Sequence, residues 1–445
     1  MPSTPHLPVA PPASGFHSPD RPRWEDYARC VHCGLCLNAC PTFRVLGEEM
    51  DSPRGRIYQI AQADAGRLPL EGAMQLHLDR CLDCRACETA CPSGVEYGKI
   101  LEAARAELES QRPRPAWVRW LRRHAFGQVM PSPGWLRFYA RWLWLYQRSG
   151  MQSLARASGL LRSLGLAGAE SLAPAISNRF FYSAWGRTFP AFGSQRARVG
   201  MLAGCIQNVA FAGMNRATLR VLQHNGCAVT IPAAQTCCGA LHVHAGRRDE
   251  ARRLARQNIA AFEALPCDAI ISNSAGCGAA LKEYPELFAG DPAWQARAAA
   301  FAARLRDVTE FLAELGLRQE GLQPLALTVT YQDPCHLAHG QGIRAAPRQL
   351  LEAIPQLRLR ELPRSDQCCG SAGIYNLLQP GIAGRLLDDR MEAFDSTGAD
   401  LLVTANPGCM LQLQAGLRRH RRNARVLHVV ELLDQAYTHS NSPCF

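Results

Sequence analysis

The chain is 445 residues long, with 47% hydrophobic and 20% charged residues. These fractions are typical of folded globular proteins and exclude a chain that is disordered throughout. The length allows two or three domains with cores of their own. The formal net charge of +11 favours contact with anionic surfaces, and no stretch approaches the ~20 uninterrupted apolar residues of a membrane-spanning helix.

Residues 1–20 are rich in proline and serine and are predicted to form a disordered leader. This leader lacks the apolar core of a secretory signal. We therefore expect the 19 cysteines to stay reduced in the cytoplasm, where clustered thiols usually bind metal rather than form disulfides. The expectation is a soluble, cytoplasmic metalloprotein.

Residues 21–110 are predicted to form the first cysteine-rich domain, with helices over 57–65 and 97–108. Two runs share the spacing Cys-x-x-Cys-x-x-Cys-x-x-x-Cys-Pro, at residues 30–41 and 81–92. In two-cluster ferredoxins this run holds [4Fe–4S] clusters, and its last cysteine binds the cluster of the other run. Zinc fits poorly, because it prefers two separated Cys-x-x-Cys pairs closed on one ion. The predicted ligands are Cys30, Cys33, Cys36 and Cys91 for cluster 1, and Cys40, Cys81, Cys84 and Cys87 for cluster 2.

Residues 111–195 are predicted to be a basic, aromatic and partly helical connector. Between Glu109 and Glu170 there are ten arginines and no acidic residue. In a helix, the aromatic residues of this connector would share one face flanked by arginines. This pattern suits a membrane interface or a groove in a partner, but an ordinary core-facing stripe explains it equally well. Nucleic acid is not predicted, because no recognition motif accompanies the charge. The aromatic residues are Trp135, Phe138, Tyr139, Trp142 and Tyr146, and the arginines are Arg137, Arg141 and Arg148.

From about residue 196 short apolar strands alternate with helices, which predicts two α/β units, at 196–320 and 321–440. The first unit has predicted strands at 198–203, 227–231 and 269–272, with a helix at 249–264. The second has strands at 327–331, 357–361 and 401–404, with a helix at 381–394. The fold class predicted for the whole chain is therefore multidomain, α+β and α/β, with a helical ferredoxin-like domain followed by two duplicated α/β units.

The cysteines of these two units support the duplication, because corresponding positions are offset by 130, 131 and 132 residues. Each lone cysteine follows a predicted strand, so four thiols per unit could converge where parallel strands end. They would hold a further cluster or remain a structural or redox-active thiol set without metal. The first set is Cys205, Cys237, Cys238 and Cys277, and the second is Cys335, Cys368, Cys369 and Cys409.

Other residues near these sets receive no ligand assignment. His242, His244, His336 and His339 lie beside the cysteines and could tune or ligate, but nothing in the sequence supplies a partner for them. Cys227 and Cys267 are expected to behave as small buried hydrophobes, and Cys444 lies at the chain end. No catalytic residue is predicted.

The paired Cys-Cys-Gly units resemble the tandem CCG domain of B-type heterodisulfide reductase subunits. A ferredoxin pair followed by two such units resembles the iron–sulfur subunit of glycolate oxidase, also called glycolate dehydrogenase. The closest stretches are residues 30–41, 51–57, 77–94 and 333–337. The resemblance implies a complex in which FAD-linked subunits oxidise glycolate to glyoxylate, and electrons then pass through this chain toward a membrane quinone. It also implies an enzyme subunit that associates with the cytoplasmic face of the inner membrane.

The sequence leaves other functions open. No Gly-x-Gly-x-x-Gly fingerprint opens a βαβ unit, so no flavin is expected in this chain. The complex could instead be an anaerobic glycerol-3-phosphate or lactate dehydrogenase, whose iron–sulfur subunits are similar. A thiol/disulfide enzyme is a third reading. The full CCG pattern ends in Cys-x-x-Cys, and the replacement of its first cysteine by Ser274 and Asn406 argues against that reading.

Overall fold

The computed structural model describes residues 15–438, which form two compact units. The first unit comprises the described residues up to Pro113 together with Val243–Arg247, and the second comprises the remainder. Most of the predicted leader, and Cys444, lie outside the described residues. Within the described range, no helix combines the length and the apolar character needed to span a bilayer.

The first unit is helical, and its helices pack around the two cysteine runs. Ser52 caps one helix by accepting a hydrogen bond from Gly55 N at 3.0 Å, and Pro53 occupies the first helical position. Ile60, Met74 and Leu101 are fully buried in the core beside it. Both predicted helices are confirmed, with slightly different ends. The helices are Trp24–Tyr27, Pro41–Leu46, Pro53–Asp64, Ala73–Asp79, Ala86–Thr89 and Tyr97–Gln111, with a 3-10 turn at Glu49–Asp51.

The second unit contains two sheets. The strands of the first sheet are β1 (Arg187–Phe189), β2 (Ala197–Leu202), β3 (Cys227–Ile231), β4 (Ala269–Ser272) and β5 (Leu305–Asp307). The strands of the second sheet are β6 (Thr328–Tyr331), β7 (Arg358–Glu361), β8 (Leu401–Thr404) and β9 (Arg425–His428).

The two sheets repeat one topology. The order β3-β2-β4-β5 in the first sheet returns as β7-β6-β8-β9 in the second, and every one of these pairings is parallel. The first sheet has an additional edge strand, β1, which is antiparallel to β3. The predicted duplication and the predicted fold class are therefore confirmed.

The connector and the two α/β units contain the remaining helices. In the connector these are Ala116–Arg122, a π-helical turn at Arg123–Val129, Pro133–Arg148, Met151–Ala157, Leu160–Ser163 and Ala167–Ser171. In the first α/β unit they are Gln207–Ala210, Ala212–His224, Ala240–His244, Arg248–Glu263, Ala275–Lys282, Tyr284–Leu287, Pro292–Arg304 and Val308–Leu315. In the second they are Cys335–Ala338, Ala345–Glu352, Tyr375–Leu378, Pro380–Thr397, Pro407–Arg419 and Val429–Thr438. A short 3-10 turn at Phe181–Ala184 lies in the connector, before β1.

One hydrophobic core joins the two α/β units. It contains Val199 and Met201 from β2 together with Val329 and Leu402 from the second sheet, all buried. Near the end of the chain, Tyr437 donates a hydrogen bond to Arg318 O at 2.6 Å. The two copies of the repeat therefore pack against each other and share one core.

Candidate functional site

The last cysteine of each run in the first unit lies near the thiols of the other run. Burial raises the pKa of the Cys30 thiol, and the neighbouring Cys91 adds to this effect. Cys91 therefore lies beside the first run, although it ends the second. Cys36 likewise has a raised pKa, because it is half-buried and close to Cys30.

Cys40, which ends the first run, lies with the second. Cys40, Cys81, Cys84 and Cys87 line one cavity together with Arg56 and Tyr97. Burial raises the pKa of the Cys87 thiol well above its usual value, and so do nearby thiols, Cys40 among them. All four thiols of this set are buried, whereas Cys33 of the first set is exposed.

The two runs owe their shape to matched left-handed residues. His32 and Asp83, each just before the second cysteine of its run, have φ of 55° and 54°. The residue after that cysteine is Gly34 in one run, with φ 86°, and Arg85 in the other, with φ 60°. Left-handed residues turn the backbone sharply, so each two-residue gap curls and brings three thiols toward one centre.

The chemistry of these donor sets fits iron–sulfur clusters. The four buried thiols of the second set cannot all ionise unless a cation compensates their charge. Iron supplies this charge and takes thiolates as its ligands. Cys40, Cys81, Cys84 and Cys87 would hold one cluster, and Cys30, Cys33, Cys36 and Cys91 the other.

A fully buried arginine, which the sequence analysis did not single out, contacts the second set. Arg56 Nη1 lies 4.0 Å from Cys40 Sγ and donates to Thr42 Oγ1 at 3.1 Å, while its Nη2 donates to Asp51 at 3.1 Å. Although burial disfavours the charge of Asp51, three neighbours lower the pKa of its carboxyl. They are His77, which is hydrogen-bonded through Nδ1 at 3.1 Å, and the cationic side chains of Arg56 and Arg80, with Arg80 Nη1 at 2.8 Å.

In the first α/β unit, all four cysteines of the repeat converge. Cys238 Sγ and Cys277 Sγ are 3.2 Å apart. A hydrogen bond with Cys205 and burial together raise the pKa of the Cys237 thiol, and a hydrogen bond with Cys237 raises that of Cys238. Cys205 follows β2 and Cys277 lies in the first turn after β4, as the strand-end argument predicts.

The second α/β unit repeats this arrangement. The pKa of Cys369 is lowered by a hydrogen bond with Cys368, but a hydrogen bond with Cys409 and burial raise it well above its usual value. Cys335 belongs to the same group and has His336 Nδ1 3.5 Å from its sulfur. Each copy therefore gathers four thiols, as many as a cubane cluster requires.

The two positions that lack the expected cysteine meet each other. Ser274 Oγ donates to Asn406 Oδ1 at 3.2 Å. Asn406 Nδ2 lies 3.4 Å from Cys409 Sγ, and Ser274 is hydrogen-bonded to Cys277. A polar bridge therefore links the two thiol sets across the repeat. The replacement of the expected cysteines by Ser274 and Asn406 suggests altered ligation, but it does not predict that the two side chains contact each other.

Most of the remaining candidates have other roles. His242 Nε2 contacts Phe126 O at 2.9 Å, His339 Nε2 contacts Asp366 O at 3.0 Å, and His244 Nδ1 lies 3.0 Å from Asp83. His336 lies against a cysteine of the sets, because its Nδ1 is 3.5 Å from Cys335 Sγ. Cys227 is fully buried as predicted, whereas Cys267 is partly exposed and its sulfur accepts from Arg304 at 2.8 Å.

The connector presents its aromatic stripe to the outside. In the helix Pro133–Arg148, Leu136 and Ala140 are buried, whereas Trp135, Phe138 and Trp142 are exposed. The core-facing explanation of the stripe is therefore wrong. The residues that pack inward are those between the aromatic positions, and they contact Val209, with Cys205 packed beside them.

Three family models match the chain. The 4Fe-4S dicluster domain matches residues 26–95, the cysteine-rich CCG domain matches 199–282 and 329–414, and the linker region of the glycolate oxidase iron-sulfur subunit matches 117–173. The chain therefore carries a two-cluster iron–sulfur domain and two CCG domains.

Two relatives match this chain over nearly its whole length. The chain is 41% identical to the probable glycolate oxidase iron-sulfur subunit of Bacillus subtilis over 93% of this chain and 94% of the relative. It is 35% identical to the glycolate oxidase iron-sulfur subunit of Escherichia coli over 92% and 93%. Lactate utilization protein A of Oceanobacillus iheyensis is 32% identical over 53% of this chain and 96% of its own length.

Proposed function

Because the chain belongs to the family of glycolate oxidase iron–sulfur subunits, we propose that it is the electron-transfer subunit of a glycolate dehydrogenase complex. In this proposal FAD-linked partner subunits oxidise glycolate to glyoxylate and pass the electrons to this chain. The chain alone is not catalytic. Its acceptor is a membrane quinone or another carrier, reached from the cytoplasmic face of the inner membrane.

The crossed cysteine sets of the first unit carry this proposal. When bound, iron–sulfur clusters accept and release single electrons. In this proposal the last cysteine of each run binds the cluster of the other run. The two clusters are therefore linked through the same two loops and held close together. Buried Arg56 and Tyr97, whose hydroxyl lies 3.7 Å from Cys81 Sγ, keep the second set shielded and hydrogen-bonded. Such shielding suits a relay, which must hold an electron without exposing it to solvent.

The substrate can be tested by measuring whether glycolate reduces the clusters of this chain. The chain purified anaerobically with its flavoprotein partners should lose its visible cluster absorbance within seconds of glycolate addition, whereas the chain alone should not respond. D-lactate and glycerol-3-phosphate serve as matched substrates. Faster reduction by either of them than by glycolate would reassign the complex, and the 32% identity to a lactate utilization protein favours lactate as the second candidate.

We also propose that each CCG thiol set holds a cluster of its own. Anaerobic protein should then contain about sixteen iron atoms rather than the about eight of the dicluster domain. The double variant C277A/C409A removes one thiol from each CCG set and should return the count to about eight, with the electron paramagnetic resonance signals of the dicluster domain unchanged. Cys227→Ala removes a buried thiol outside both sets and is the matched control. About eight iron atoms in the unaltered chain would contradict the proposal.

A further inference from the structure

The connector exposes an unusual amount of apolar surface. Within the described residues 15–438, 13 of the 23 exposed large hydrophobic side chains lie between residues 117 and 166. Trp117 is 68% exposed, Trp142 59% and Leu154 72%. A folded protein rarely leaves so much apolar surface in contact with water unless a binding partner covers it.

The charged residues of the connector between Ser110 and Ala169 are all arginines. No acidic residue occurs between Glu109 and Glu170, and Arg137, Arg141 and Arg148 are exposed. On the helix Pro133–Arg148 these three fall in one row, beside the arc of exposed aromatic residues. An amphipathic helix with arginines beside tryptophans is typical of a helix that lies in the headgroup layer of a membrane.

We propose that this surface docks the protein on an anionic lipid bilayer. Protein partners usually present both signs of charge, and charges are depleted from the cores of their interfaces. Arginines that border an aromatic arc, with no acidic residue over sixty positions, instead match a uniformly anionic surface. The short helices Met151–Ala157 and Leu160–Ser163 extend this surface with exposed leucines.

Docking would bring the first CCG set close to the bilayer. The buried face of the helix Pro133–Arg148 packs on Val209, with Cys205 beside it. The exposed face lies on the other side of the same helix, whose diameter is roughly 10 Å. The inference thus deepens the proposed function by naming the surface through which electrons would reach a membrane acceptor. Vesicle binding requires no electron flow, so the two proposals can fail separately.

The test uses the full cluster-bearing chain and vesicles of phosphatidylcholine, with or without phosphatidylglycerol. The unaltered chain should co-sediment with the anionic vesicles and much less with the neutral ones, and high salt should weaken this binding. Spin-labelled lipid should quench its tryptophan fluorescence. R141E/R148E should lower the affinity for anionic vesicles at least tenfold, because each arginine near such a surface contributes about fivefold.

W120S/W142S should reduce the spin-label quenching and weaken binding severalfold. R358E/R385E and L377S/L378S change exposed residues elsewhere in the same unit and should bind as the unaltered chain does. Iron content, measured on every variant, shows that each has folded. The proposal is overturned if the unaltered chain does not bind anionic vesicles. It is also overturned if the connector variants still bind the vesicles but no longer bind the flavoprotein partners. The latter result would assign the surface to a protein interface.

Discussion

Replacing Cys40 with alanine should abolish the cluster of the second run, not that of the run to which Cys40 belongs. Cys40 lines one cavity with Cys81, Cys84 and Cys87, so its loss opens that set. Cys91→Ala should do the reverse, because Cys91 lies beside Cys30. Each variant should lose about four iron atoms, as measured by iron and acid-labile sulfide analysis of anaerobic protein.

Double variants make this expectation sharp. C40A/C84A removes two thiols from one set and should lose no more iron than Cys40→Ala alone. C40A/C33A removes one thiol from each set and should lose about eight iron atoms. If each run instead supplied all four of its own ligands, C40A/C33A would retain as much iron as the single variants. That result would contradict the prediction that the last cysteine of each run binds the cluster of the other run, whatever the activity of the complex.

Much of this site follows from short sequence patterns, because a patterned spacing fixes local geometry. The runs that contain Cys30 and Cys81 predict the two cysteine loops, and the matched left-handed residues of the structure fit such loops. The exchange of the last thiol of each run between the clusters stays a prediction. The offsets of the repeat identify two copies of one α/β unit, and the topology of the two sheets bears this out. β1, β5 and β9 were not predicted. β1 and β5 have only three residues each, which is fewer than the four that an alternating strand pattern needs.

Contacts between distant residues could not be predicted, because they depend on how the elements pack. Nothing in the order of residues shows that Ser274 meets Asn406, 132 positions along the chain. The aromatic stripe of the connector illustrates the same difficulty. Its spacing defines one helical face, but only the packing of Leu136 and Ala140 against Val209 decides that this face points outward.

Arg56 is the second residue whose replacement should have a large effect. It is completely buried and carries its positive charge to within 4.0 Å of Cys40 Sγ. An electron added to the second cluster would be stabilised by this charge, because opposite charges attract strongly where water is excluded. The same guanidinium compensates the buried carboxylate of Asp51, and removing one partner of a buried ion pair costs about 3 kcal/mol or more.

Arg56→Met should therefore lower both the stability of the protein and the reduction potential of the second cluster. Losing about 1.4 kcal/mol of stabilisation of the reduced form corresponds to a shift of ~59 mV for one electron, which a redox titration followed by electron paramagnetic resonance can resolve. Arg56→Lys keeps the positive charge but lacks the planar guanidinium that binds both Thr42 and Asp51. Compared with Arg56→Met, it should therefore recover more of the reduction potential than of the stability.

Arg54 is the matched control, because it is partly exposed and lies near Cys33 and Cys36. Arg54→Met should change the reduction potential of the first cluster only. Equal potentials in the Met and Lys variants of Arg56 would show that the guanidinium supports packing and does not tune the cluster.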